Sequence, residues 1–111
     1  MDAMSGTKPL SIRDAATEIP APWETRDLVS INDSLLRLVR AEGVMEWHHH
    51  EEDQLFICWQ GTFTIEVEGT AAVVLNRGDV YVIPRRSRHR TSAHGLAYAL
   101  MSIGDHTMAA G

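Results

Sequence analysis

A chain of 111 residues is long enough to close one hydrophobic core and too short for two, so any function has to come from a single domain. Ten basic against fifteen acidic side chains leave a formal charge of −5, which argues against a surface built to follow a phosphate backbone and sets nucleic acid aside as a partner. One cysteine, Cys58, excludes an intramolecular disulfide framework and makes the reducing cytoplasm the expected location; no apolar run is long enough to span a bilayer, and Met1 to Thr7 lacks the charged and apolar regions of a secretory signal, so no membrane partner is expected.

The first section, Met1 to Trp23, carries Pro9, Pro20 and Pro22, and Ser11 to Ile19, with Asp14 near its start, has room for one or two helical turns. Residues 1–26 read as a loosely anchored arm, irregular or partly helical. From Asp27 onward, short apolar stretches broken by turn residues predict strands. Asp27–Ile31 and Leu35–Ala41 flank a hairpin turn at Asn32-Asp33-Ser34. Val44–His50, Gln54–Gln60, Thr62–Glu68, Ala71–Leu75, Asp79–Ile83, His89–Ala93 and Leu96–Ile103 follow. Glu68-Gly69-Thr70 and Asn76-Arg77-Gly78-Asp79 close hairpins, and Gly61 bends the chain between Gln60 and Thr62. Within Thr62–Glu68, Phe63, Ile65 and Val67 share one face and the polar residues the other, the pattern of a half-buried antiparallel strand. Nine short strands with such turns predict an all-β jelly roll over residues 27–111, not a sandwich of immunoglobulin type.

Gly43 to Gly61 holds three consecutive histidines and, four residues after the last, Gln54. Alternation on a strand projects His48 and His50 to one face and turns His49 away, so two imidazoles form a chelating pair. Gly78 to His89 adds a further histidine after a strand and a proline turn, which gives three imidazoles and an amide oxygen to converge. These two segments resemble the cupins, small jelly-roll barrels whose first motif runs Gly, His-x-His, Glu, Gly and whose second runs Gly, Pro-x-Gly, His. The whole chain, including Trp47 and the tail from Gly104 to Thr107, is most similar to the short single-domain cupins grouped with mannose-6-phosphate isomerase-like sequences. The resemblance implies a cupin-type double-stranded β-helix, makes His48, His50 and His89 the metal-ligating histidines, and places Gln54 where the family usually carries glutamate. Gly78 and Pro84 fit the second motif, but Arg86 stands where glycine is usual, so a different turn shape is expected there.

Imidazoles with one oxygen donor suit zinc, iron, nickel, manganese or copper better than calcium or magnesium; the competing reading is a surface histidine run. Gln54 either coordinates through its amide oxygen or hydrogen-bonds a ligand histidine or a water. In either role a neutral amide leaves the site more positive, weakening metal affinity and raising Lewis acidity. Glu46 has the parity of Val44, His48 and His50, and is therefore expected to point inward, as a catalytic general base or as half of a rim salt bridge. Arg85 and Arg86, in the loop, would suit an anionic ligand such as a carboxylate or sugar phosphate, while Arg88 and Arg90 fall on the opposite face as a solvated or dimer-facing strip. Cys58 reads as a small core residue. Met45, Trp47 and Trp59 fall on the outward parity and point to a homodimer. Two functions remain open: a metal-dependent enzyme, a dioxygenase or a Lewis-acid isomerase or lyase acting on a small molecule inside the barrel, and a non-catalytic metabolite- or metal-binding module.

Overall fold

The computed structural model describes residues 8–104; the reading of Met1–Thr7 and the 105–107 part of the tail lie outside the described residues. One short helix, α1 (Ile12–Thr17), precedes seven strands: β1 (Thr25–Ile31), β2 (Ser34–Val44), β3 (Gln54–Gln60), β4 (Phe63–Val67), β5 (Val73–Leu75), β6 (Val80–Ile83) and β7 (His89–Gly104). Among the described residues no helix is long and apolar enough to cross a membrane.

The described part of the arm, residues 8–26, is anchored. Ser11, in extended conformation, accepts the Asp14 N–H on its hydroxyl at 3.1 Å and so caps α1. A six-residue helix has no stability of its own. It is held by burial of Ala15, Ala16 and Ile19 against Leu28, Leu38 and Leu100 on the outer face of the sheet. Arg40 donates to the Ile19 carbonyl at 3.1 Å, and Arg26 pairs with Glu18.

The sheet runs β1-β2-β7-β3-β6, with β4 joining β7 and β5 pairing with β4. All pairings are antiparallel. β7 is the organising element: its first residues, His89–Ala93, pair with β4, its later ones, Tyr98–Met101, pair with β3, and β2 runs beside both parts. The two strands expected at His89–Ala93 and Leu96–Ile103 are therefore one strand that passes between the two halves of the roll. The register shift between Ala41 and Gly43, opposite Gly95 at φ 82°, absorbs the bend. Gly61 follows β3 at φ 82°, where a Cβ would lie 2.7 Å from the Ala97 Cβ and 2.9 Å from the Leu96 carbonyl oxygen, so only glycine lets the β3–β4 connection press on β7.

Inward residues of β3 and β4 alternate buried and half-buried as expected, and Phe56 and Phe63 meet edge to face at 5.1 Å in an inner cluster with Val39, Ile65 and Met101. The expected strand Val44–His50 does not form. β2 ends at Val44, and beyond it only His48 is bridged, to His89 of β7. Alternation therefore does not carry across residues 45–47.

Candidate metal centre

His48 and His89 are brought face to face by that bridge, each donating its backbone N–H to the other's carbonyl at 2.9 and 2.8 Å. His50 follows His48 by two residues, and its carbonyl accepts the Arg86 N–H at 2.6 Å from the turn after β6. Gln54 opens β3 opposite Ile83, the last residue of β6. The ring centroids of the three histidines lie 4.4 to 5.2 Å apart, and their ligand atoms all fall within 4.8 Å of one another. His50, His89 and Gln54 are buried and His48 is half-buried. Arg86 has φ 63°, so the position after Pro84-Arg85 takes the left-handed conformation that glycine favours, and arginine bears its strain.

The protonation pattern follows from backbone contacts. Nδ1 of His89 lies 2.9 Å from the Ser87 carbonyl oxygen and Nδ1 of His48 2.8 Å from that of Glu46. A carbonyl oxygen only accepts, so both Nδ1 atoms carry the proton, and in the neutral ring the lone pair sits on Nε2. Burial pushes His89 below the ordinary histidine range, against the Ser87 hydrogen bond, and the neighbouring His48, His50 and His49 push it the same way. Neutral imidazole is the form that binds metal.

At this site Nε2 of His89 and Oε1 of Gln54 are buried with no hydrogen-bond partner among the described residues. A buried acceptor without a donor costs about 1–3 kcal/mol, and both are lone-pair donors of the kind a divalent transition metal takes. The residues thus fit such an ion.

The remaining expectations divide. His49 is exposed, 3.6 Å from the Glu51 carboxylate, and stands outside the three-histidine cluster, although it lines the outer cleft beside His48 and His50. Glu46 is exposed, not inward; the chain there is irregular, and the site is touched by its carbonyl, not its carboxylate. Its side chain stands on the wall of a cleft of about 480 Å³ shared with Trp23, Met45, Trp47 and the three consecutive histidines. Met45 also reverses expectation: it lines a recess inside the barrel with Val39, Phe56, Thr91 and Met101. Trp59 packs on the cluster beneath α1. Trp47 lies under the guanidinium groups of Arg88 and Arg90, 5.1 and 4.9 Å from its ring centroid, and these pair in turn with Glu68 and Glu66. Trp47 and Trp59 thus have contacts within the chain, and each stays half-buried. Arg86 pairs with Glu51 at 3.3 Å, and Arg85 is exposed with its backbone N–H on Asp53.

Cys58 is fully buried, its thiol donating to the Gly61 carbonyl at 3.2 Å; burial, then the Asp79 charge, pushes it up from the ordinary thiol range, as befits a core residue. Sequence reasoning missed Trp23. Its φ is 66°, its N–H is bonded to the Arg40 carbonyl, and its indole lines both the cleft and the recess. Pro20 and Pro22 mark a turn before it, but no periodicity aims the ring.

The cupin domain model matches residues 35–103. An uncharacterized protein, YdbB, of Bacillus subtilis (strain 168) is 31% identical over 80 residues, 71% of each chain. A cupin-2 domain containing protein from Shewanella frigidimarina superposes with a TM-score of 0.81 at 27% identity, covering 86% of this chain and 93% of that one. Hydroquinone 1,2-dioxygenase PnpCD, solved in complex with Fe3+, has a TM-score of 0.78 at 17% identity, covering 85% of this chain and 31% of that one, a likeness of fold alone. With well over half of its length matched by the cupin domain, and with a jelly-roll sheet and a three-histidine cluster in place, this chain belongs to the cupin family.

Proposed function

We propose that this cupin binds a divalent transition metal, zinc, iron, nickel, manganese or copper, through His48, His50 and His89 with Gln54 as a fourth donor, and acts on a small molecule there as a dioxygenase or a Lewis-acid isomerase or lyase. One observation carries the reading: three imidazoles converge within 4.8 Å while the His89 Nε2 and Gln54 Oε1 atoms are buried with no other partner. A bound ion would polarise a ligand carbonyl or hydroxyl. The chain's own part is to hold the donors: the Ser87 and Glu46 carbonyls fix two tautomers, and the Arg86 N–H anchors His50. Glu46 remains the proposed proton acceptor, acting from the cleft wall in contact with water. Arg85, exposed with its backbone N–H on Asp53, is the side chain that an anionic ligand, the alternative to a neutral one, would meet at the rim.

The second reading, a non-catalytic module that holds metal or metabolite, is favoured by the neutral Gln54 and by the exposure of Glu46, which leave no buried carboxylate among the proposed donors. Elemental analysis of purified protein, followed by oxygen uptake with diols and small keto and hydroxy acids, separates the two. Uptake abolished by His50→Ala supports the oxygenase; bound metal with no turnover supports the module.

Homodimer assembly belongs to the same reading, now on different residues. β6 is an edge strand whose Val80 and Val82 are 58% and 50% exposed and pair with Ile57 and Leu55 of β3, an apolar edge of the kind that another chain covers. Light scattering should give a dimer that Val82→Glu converts to monomer. The single buried thiol supports a reducing, cytoplasmic setting.

A further inference from the structure

We infer that the ligand of this site is an uncharged molecule with an apolar body and its oxygen donors at one end, and that Met45 and Trp23 form the door through which the body passes into the barrel. This rests on the metal-site reading above for the donor end only. Met45 and Trp23 are the residues common to the linings of two spaces: the cleft of about 480 Å³ at the histidines and the recess beneath it, between Val39, Phe56 and Met101. The cleft has the size of a small-molecule site. The recess, as it stands, is barely wide enough for one water, so the two spaces join only if a side chain moves.

The backbone of the door is fixed, and Trp23 packs against the inner core, so Met45 is the side chain that has to move. The Trp23 N–H is bonded to the Arg40 carbonyl and the Met45 N–H to the Thr91 carbonyl at 2.9 Å. Methionine, unbranched with three rotatable bonds, is the side chain best able to swing aside and repack against a guest.

Inside the recess, charge selects against an anionic body. No described residue lining the recess ionises; its only hydroxyls are those of Thr25 and Thr91. Of the arginines in the interior, Arg37, 7% exposed, is held by Asp27 at 2.7 Å, and the half-buried Arg40 donates to the Ile19 carbonyl under α1. Around the mouth, Glu46, Glu51 and Asp53 are exposed, Arg86 is paired with Glu51, and Arg85, the one cation there that would favour an anion, is exposed next to Asp53 and does not line the recess. A phosphate or dicarboxylate moving past these groups gains no buried cation from the chain, whereas an apolar body gains the burial of each methylene.

The test is tryptophan fluorescence titration with phenol and 4-propylphenol on metal-free protein, with catechol and 4-propylcatechol on metal-loaded protein, and with succinate and glycerol 3-phosphate on both. The propyl group should tighten binding about tenfold or more in both forms, because three methylenes leave water. Met45→Leu should keep that ratio and Met45→Lys should bring it near one. The inference is overturned if the propyl group gives no gain, if 4-propylphenol shows no saturable binding at millimolar concentration, or if either anion binds metal-free protein as tightly. Metal content measured on the same samples reports on the histidines alone, so failure of the metal reading and failure of the door are distinguishable.

Discussion

Replacing Gln54 by methionine should stabilise the metal-free protein and weaken its hold on metal, two effects of opposite sign from one atom. Gln54 is 4% exposed, and its Oε1 is buried with no donor, so in the absence of an ion the fold carries an unsatisfied acceptor. That burden is about 1–3 kcal/mol. Methionine is close in length and volume and removes the acceptor, while its own misfit in the pocket costs less than about 1.5 kcal/mol. The balance is a gain of about 1 kcal/mol, or roughly 4 °C in melting temperature for a domain of this size. With metal present the sign reverses, because a donor has been lost: affinity should fall about tenfold or more. The assay is thermal unfolding with chelator and with added zinc, together with competition for the ion by a chromogenic chelator. A metal-free variant less stable than the parent by more than 1 kcal/mol would refute the unsatisfied acceptor, and unchanged affinity would refute Gln54 as a donor.

Metal-free protein should lose stability as pH falls. His89 is held below its ordinary value of about 6.5 when folded, so below that pH the unfolded chain takes up a proton the folded one refuses; stability is fully present above about 6.5 and declines beneath it. Urea midpoints between pH 5 and 8 measure the slope, and a midpoint that rises on acidification contradicts it. Gly61→Ala forces a left-handed residue and a contact of 2.7 Å on Ala97, and should cost about 2–4 kcal/mol in chemical denaturation; a loss under about 1 kcal/mol would show that β7 yields. Cys58, buried and with its thiol pushed up, should resist alkylation at pH 8 until denaturant is added, and rapid labelling of native protein would place it elsewhere.

Much of this architecture was readable from local pattern. Thr62–Glu68 alternates because one face of β4 meets the core and the other does not, and spacing and motif pick out His48, His50 and His89, which the fold brings together, while Gln54 is buried at the start of β3. Pattern failed where structure is set by distant partners. Alternation puts Met45 and Glu46 on the wrong faces because residues 45–47 belong to no strand and are positioned by one bond from Met45 to Thr91 and by the reciprocal pair between His48 and His89, so period two has no meaning there. β7 was divided because Gly95 looks like a break, whereas its pairing on both sides with β2, β3 and β4 carries the strand through. The arm looked loose because the apolar content of α1 is small, yet Ala15 and Ala16 are what lets it lie close on Leu28, Leu38 and Leu100. Trp59 appeared to need a partner for the same reason: its partner is a helix more than forty residues away in the chain.

The central claim is that His48, His50 and His89 hold one ion. Elemental analysis joined to X-ray absorption at the metal edge, on parent protein and His89→Ala, tests it most directly. The account predicts about one transition-metal ion per chain with a nitrogen-rich shell at roughly 2.0–2.1 Å, lost in the variant. A parent protein that takes up no ion when loaded, or a variant that keeps the same ion in the same shell, would contradict it.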